Sequence, residues 1–184
     1  MPIEVESRRK KLSTIERAWP GSLICDVTSK GPEPWIRFSP FYPHGGIPIP
    51  NSTAEAAESV EGLWQGLKVF EREGIDPGKW KISNLRGIKR SGNSRGAVLG
   101  HRFGAHSSVL LGYRDARLRI YLPAYRWVLE RRLADEIEKL RTEAGRQTVV
   151  LLDYETNGDI DDLSSPLSHA ALVKLYVEGR WPGT

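Results

Sequence analysis

The sequence predicts a helix-rich α+β domain with a small sheet. Three observations predict it. Two long stretches, 51–74 and 122–145, place apolar residues at helical spacing. Two short runs, SLICDVTS and QTVVLLDYE, read as strands. The order of helix, strand, loop, long helix, basic loop, long helix, strand, helix also lacks the regular alternation of a doubly wound fold. The 184 residues divide into an N-terminal helix or arm over 1–20 and one domain over 21–184. A chain of this size buries about 70% of its unfolded surface, so it needs no covalent staple.

The elements follow in order. In ESRRKKLSTIERAW, Leu12, Ile15 and Trp19 share a helical face, and Pro20-Gly21 ends the helix. PWIRFSPFYPHGGIPIP, with five prolines and two glycines, is expected as an ordered loop packed by its own rings rather than regular structure. Asn51, Ser52 and Thr53 offer N-caps to a helix of about five turns that closes at Gly74. Gly62 and Gly66 cost that helix about 1 kcal/mol each relative to alanine, and close approach of another backbone would offset the loss. A glycine-rich basic loop follows, RGIKRSGNSRGAVLGHRFG, then a helix begun near Pro123 with Tyr125, Leu129, Leu133, Ile137 and Leu140 in register. The last helix, in SPLSHAALVKLYVEG, is expected to be capped by Ser165 with Pro166 in its first turn, and DIDDLSS before it reads as an acidic capping turn.

Composition narrows the function classes. The single cysteine, Cys25, excludes an internal disulfide and a multi-cysteine metal site, fits a reducing, cytoplasmic setting, and reads as a buried inert thiol. No apolar run approaches the ~18 residues of a membrane span. Net charge is +4, concentrated in residues 79–102, which suits an anionic ligand: a nucleotide-like small molecule, with nucleic acid as the alternative partner. The four histidines are too scattered for a zinc motif, GNSRG lacks the ending of a nucleotide P-loop, and the acidic turn lacks the glycine and closing glutamate of a calcium loop. No metal and no cofactor is expected.

The chemistry concentrates in SVEGLWQGLKVF. At 100° per residue, Glu61, Gln65 and Lys68 fall within a sector of roughly 60°, with Trp64 at its edge, while Val60, Leu63, Leu67 and Phe70 form a separate apolar stripe. The helix therefore has one face for the core and one that is either a solvated charged face or the wall of a site.

Phe38, Ser39, Phe41, Tyr42 and Pro43, followed about twenty residues later by Ser59, Glu61, Trp64, Gln65, Lys68 and Phe70, resemble the paired motifs of the NADAR or YbiA-like family. Order and spacing agree over most of residues 35–160. The Trp-Gly that usually follows the family's late aspartate is absent from GDIDDLSSP, and the middle segment differs. The resemblance implies a YbiA-like fold and cleavage of an N-glycosidic bond, with Glu61, Asp153 and Asp159 as candidate catalytic carboxylates.

That chemistry has its own logic. Breaking a ribosyl C–N bond passes through an oxocarbenium-like state that needs a carboxylate beside the sugar and a base for water, roles open to Glu61 or Asp153. The departing base needs a hydrogen bond and an aromatic face, available from Gln65, Trp64, Phe41 and Tyr42. Lys68, Lys89, Arg90 and Arg95 are candidates for a phosphate. His44, beside Gly45-Gly46, is either a further binding residue or a turn residue. Each has a plainer rival: Trp64 as core, the basic loop as a solvated connection.

Overall fold

The computed structural model describes residues 2–182 and has an α+β fold whose contacts divide into two units. A terminal unit holds the described residues up to Ser39 and those from Leu129 onward. A central unit spans Pro40–Val128.

The terminal unit is organised by a parallel sheet. β1 (Ile3–Ser7), β2 (Leu23–Asp26) and β8 (Val149–Asp153) lie in the order β1-β8-β2, with Ile3 and Leu23 both in register with Val149. The middle strand, VVLLD, is buried at every position, as a strand covered on both faces requires. β1 was not expected, because residues 1–20 read as a helix or arm. Its glutamates are paired instead: Glu4 with Lys174, and Glu6 with Lys10 and the Trp19 indole N–H. The expected first helix is α1 (Leu12–Ala18). Its Ile15 packs with Val150 and Leu152, against Trp19 and Ile24, while Leu12 points outward at 54% exposure. Cys25 is buried, and burial pushes its thiol up to about 12, so it is inert as a nucleophile.

In the central unit the aromatic segment departs from a pure loop. It contributes β3 (Ile47–Pro48), paired antiparallel with β4 (Ala56–Ala57); upstream, in the terminal unit, Trp35–Phe38 forms a 3-10 turn. The five-turn helix expected from Asn51 to Gly74 is not formed. α2 is only Val60–Leu67, capped by the Ser59 hydroxyl accepting from Gly62 N at 3.0 Å, and Lys68–Phe70 leaves it at once as β5. Strand pairing overrides local helix propensity at both ends: β4 bonds β3, and β5 bonds β6 (Val98–Arg102), which in turn bonds β7 (Leu110–Leu111). The apolar stripe is as expected, with Val60, Leu63, Leu67 and Phe70 all at most 2% exposed.

The two helix glycines also behave as expected. A Cβ on Gly62 would come within 2.7 Å of the Lys79 carbonyl oxygen, and one on Gly66 would run into the Trp80 indole nitrogen and lie 3.0 Å from the Asp76 carbonyl oxygen. The 3-10 turn Pro77–Lys81 therefore lies directly on α2. Gly66→Ala is expected to destabilise the protein by about 1–3 kcal/mol, despite alanine's better helix propensity. A melting temperature raised by the substitution would refute this packing.

The helical run then begins earlier than Pro123. α3 (Tyr113–Ala116) passes through a π-turn, Arg117–Tyr121, into α4 (Leu122–Arg131), which carries the chain from the central to the terminal unit. It breaks before α5 (Ala134–Arg146), so the expected single helix is two; Tyr125, Leu129, Leu133, Ile137 and Leu140 are nevertheless all buried. α6 (His169–Val177) is capped by Ser168, not Ser165, through a 3.1 Å bond from Ala171 N. The acidic segment before it forms short turns, with Asp159 accepting from Asp161 N and Asp162 from Ser164 N. No helix among the described residues is long and apolar enough to cross a membrane.

Candidate functional site

The central unit gathers most of the expected site residues around α2. The loop after Ser39 is pinned to the start of this helix at two points. Glu61 N donates to the Pro40 carbonyl at 2.8 Å, and Gly45 N donates to the Glu58 carbonyl at 2.9 Å. The first bond satisfies an N–H that the first helical turn leaves unpaired. Phe41, Tyr42 and His44 on this loop are half-buried, the Tyr42 and His44 rings lie 4.8 Å apart, and the Lys89 ammonium sits 5.5 Å from the Phe41 ring centroid.

On α2 the polar sector is wired in series. Gln65 Nε2 donates to Glu61 Oε1 at 2.8 Å, and Lys68 Nζ donates to Gln65 Oε1 at 3.0 Å. Although Lys68 has left the helix for β5, its side chain still closes the chain of bonds. Burial pushes the Lys68 pKa down; the Glu61 charge opposes this, and Arg90 and Lys89 add to it. The result is a carboxylate and a partly desolvated ammonium joined through one amide whose orientation both ends fix.

Arg90 has a different place from the one its charge suggests. Its side chain is 0% exposed. It donates to the carbonyls of Gln65, Lys68 and Gly74 and to Glu73 Oε1, at 2.7–3.0 Å. Two of those carbonyls are at the open C-terminal end of α2, so Arg90 caps the helix and ties it to the next turn. Arg95 pairs with the other oxygen of Glu73 at 2.5 Å. Of the three loop cations, Lys89 alone is exposed beside the aromatic loop, while Arg90 and Arg95 meet on Glu73.

Three further residues carry no motif in the sequence. Trp64, half-buried, stacks on the His101 ring with centroids 3.7 Å apart, and Tyr121 and Tyr113 stand 5.7 and 6.1 Å away. His101 lies directly across from Lys68 in the β5–β6 register, an alignment that only the fold reveals, since residues 86–104 read as a basic loop. The π-turn sets the position of Tyr121, and such turns recur at functional sites.

Asp153 and Asp159 belong to the terminal unit, whereas Glu61 belongs to the central one. Asp153 is 4% exposed. Its Oδ1 accepts from Tyr154 N, and its Oδ2 from the Ser168 hydroxyl at 2.8 Å and His169 Nδ1 at 2.9 Å. A carboxylate so enclosed anchors the start of α6. Asp159 is exposed and lines a shallow cleft with Glu4, Thr156 and Lys174. Among the described residues no group of three or more His, Cys, Asp or Glu side chains is placed to hold a metal ion.

The Asp153–His169 pair sets a pH dependence. Burial alone would lower the His169 pKa, but Asp153, with the Val27 carbonyl on Nε2 at 2.8 Å, raises it on balance; Asp153 is correspondingly lowered against its own burial. The histidine contribution is complete below its unfolded value near 6.5 and is lost as pH rises through its raised folded value. The aspartate contribution is complete above 3.8 and is lost as pH falls through its lowered one. Thermal stability is therefore expected to hold between about pH 4 and 6.5 and to fall on either side. Asp153→Asn should remove the alkaline decline; a decline that persists unchanged in that variant would assign it to other groups.

The protein is thus an α+β fold with a hydrogen-bonded polar series on a short, doubly capped helix. The chain belongs to DUF6939, a family of unknown function, which it matches over residues 7–173. No curated protein matches it.

Proposed function

We propose that the protein is an N-glycosyl hydrolase that cleaves the ribosyl C–N bond of a phosphorylated nucleoside or an ADP-ribosylated base. The observation that carries this reading is the Glu61–Gln65–Lys68 series, held beside an aromatic loop that is bonded to the same helix. The motif resemblance through Phe41, Tyr42, Glu61, Trp64, Gln65 and Lys68 points the same way. In this reading Glu61 faces the cationic sugar. As the C–N bond breaks, its electron pair goes to the base nitrogen, which takes a proton from Lys68. Water then adds at the sugar carbon and returns a proton to Lys68. A lowered ammonium pKa makes that proton easier to give up. Phe41 and Tyr42 supply faces for the base, and Lys89 a charge for the phosphate. Asp153 and Asp159 take no part, because the first is enclosed by α6 and the second sits in a surface turn. The single buried thiol suits a cytoplasmic setting.

The test is release of free base from N-ribosylated nucleotides and from ADP-ribosylated bases, free and within oligonucleotides. The exposed Lys81, Arg86 and Lys89 favour a second reading, a non-catalytic module that binds nucleotides or nucleic acid. No turnover on any of these substrates, combined with oligonucleotide affinity that falls steeply with salt, would establish that reading instead.

A further inference from the structure

His101 is the residue whose surroundings the site described so far leaves unexplained. It is 2% exposed, and neither Nδ1 nor Nε2 has a hydrogen-bond partner. Buried polar atoms are paired in nearly all proteins, so two orphans on one ring call for an occupant. The ring lies under Trp64 and directly across the β5–β6 ladder from Lys68, on the same sheet face. We propose that His101 is a ligand-binding residue of this site, its ring nitrogens taking hydroxyls of a sugar.

The chemical class follows from what the site offers. Burial, with the Lys68 charge adding to it, pushes the His101 pKa down to about 3, so the ring is neutral and presents one N–H donor and one lone pair. A phosphate or carboxylate satisfies only the donor, and an ammonium only the lone pair. A hydroxyl satisfies either, so two hydroxyls of one sugar satisfy both, and their remaining lone pairs match the Lys68 ammonium opposite. The same neutrality makes His101 a poor proton acceptor, which separates its role from the proton transfers of Lys68. Both nitrogens are buried, so binding requires a neighbouring side chain to move.

This inference rests on the ribosyl reading, and its test uses binding rather than turnover. Calorimetric titration of ADP-ribose and of ADP, which lacks the second ribose, would compare the wild type with His101→Phe and His101→Asn, alongside thermal melting. His101→Phe keeps the stacking ring and deletes both nitrogens. It should melt at or above the wild-type temperature, bind ADP-ribose at least ~10-fold more weakly and bind ADP unchanged; His101→Asn should recover part of the loss. Wild-type affinity for ADP-ribose in His101→Phe would make the histidine a shelf for Trp64 and overturn the proposal. So would melting of both variants far below the wild type, or a wild type that does not prefer ADP-ribose to ADP. Preference for ADP-ribose without base release from any N-ribosyl substrate would overturn the hydrolase reading alone and leave the hydroxyl site standing.

Discussion

Glu61→Gln is expected to slow hydrolysis of an N-ribosylated substrate by at least ~100-fold, about 2.7 kcal/mol of transition-state stabilisation, with little change in melting temperature. Glutamine keeps the shape and still offers Gln65 Nε2 an acceptor at the position now held by Oε1, so the series of bonds is preserved. What disappears is the charge that faces the sugar. A second effect follows from the electrostatics. Glu61 is the group that opposes the lowering of the Lys68 pKa, while Arg90 and Lys89 promote it. Without Glu61 the ammonium loses its proton at lower pH, so any residual activity should decline on its alkaline side earlier than in the wild type. Undiminished turnover in Glu61→Gln would remove the carboxylate from the mechanism. An unshifted alkaline limb would mean that Lys68 does not supply the proton.

Arg90→Met is expected to cost about 3–5 kcal/mol of stability, the scale of breaking a buried charged network from one side. Methionine fills much of the same space, yet it leaves the carbonyls of Gln65, Lys68 and Gly74 without their donor and Glu73 without its buried partner. Arg90→Lys should recover little, because one ammonium cannot reproduce a two-pronged fork that bonds four acceptors. For a chain of this size the melting temperature should fall by about 10 °C. A variant that melts like the wild type but fails to bind a phosphorylated ligand would return Arg90 to the phosphate-binding role. The Arg90 guanidinium donates to the Gln65 carbonyl and Glu61 accepts from the Gln65 amide, so the two side chains share a partner residue and their substitutions should combine non-additively.

Legibility in the sequence tracked how local the governing physics was. The middle strand, read from an unbroken VVLL run, and the core positions of α4 and α5, read from their spacing, needed nothing from outside their own segments. α2 was overextended in both directions, because Ala, Glu and Lys favour helix until a partner strand competes: Ala56–Ala57 answers to Ile47–Pro48, and Lys68–Phe70 to residues 98–101. β1 was hidden by glutamates whose cations are supplied by Lys10 and by the distant Lys174. At the site, the angular grouping of Glu61, Gln65 and Lys68 survived as a hydrogen-bonded series, even though the third member left the helix. Arg90 misled because charge alone does not distinguish a cation that meets a ligand from one that closes a helix end. His101 left no trace, since its meaning lies in a register between two strands thirty or so residues apart.

The strand order of the parallel sheet also governs when the protein can be completed as it emerges from the ribosome. β8 lies between β1 and β2, so neither early strand has its ladder partner until Val149–Asp153 has been synthesised. Every strand of the central unit, by contrast, finds its partner within Pro40–Val128. The nascent chain therefore holds two unpaired edges, IEVES and LICD, until Val149–Asp153 has emerged. The glutamates of the first keep it polar while it waits, the same residues that obscured it as a strand.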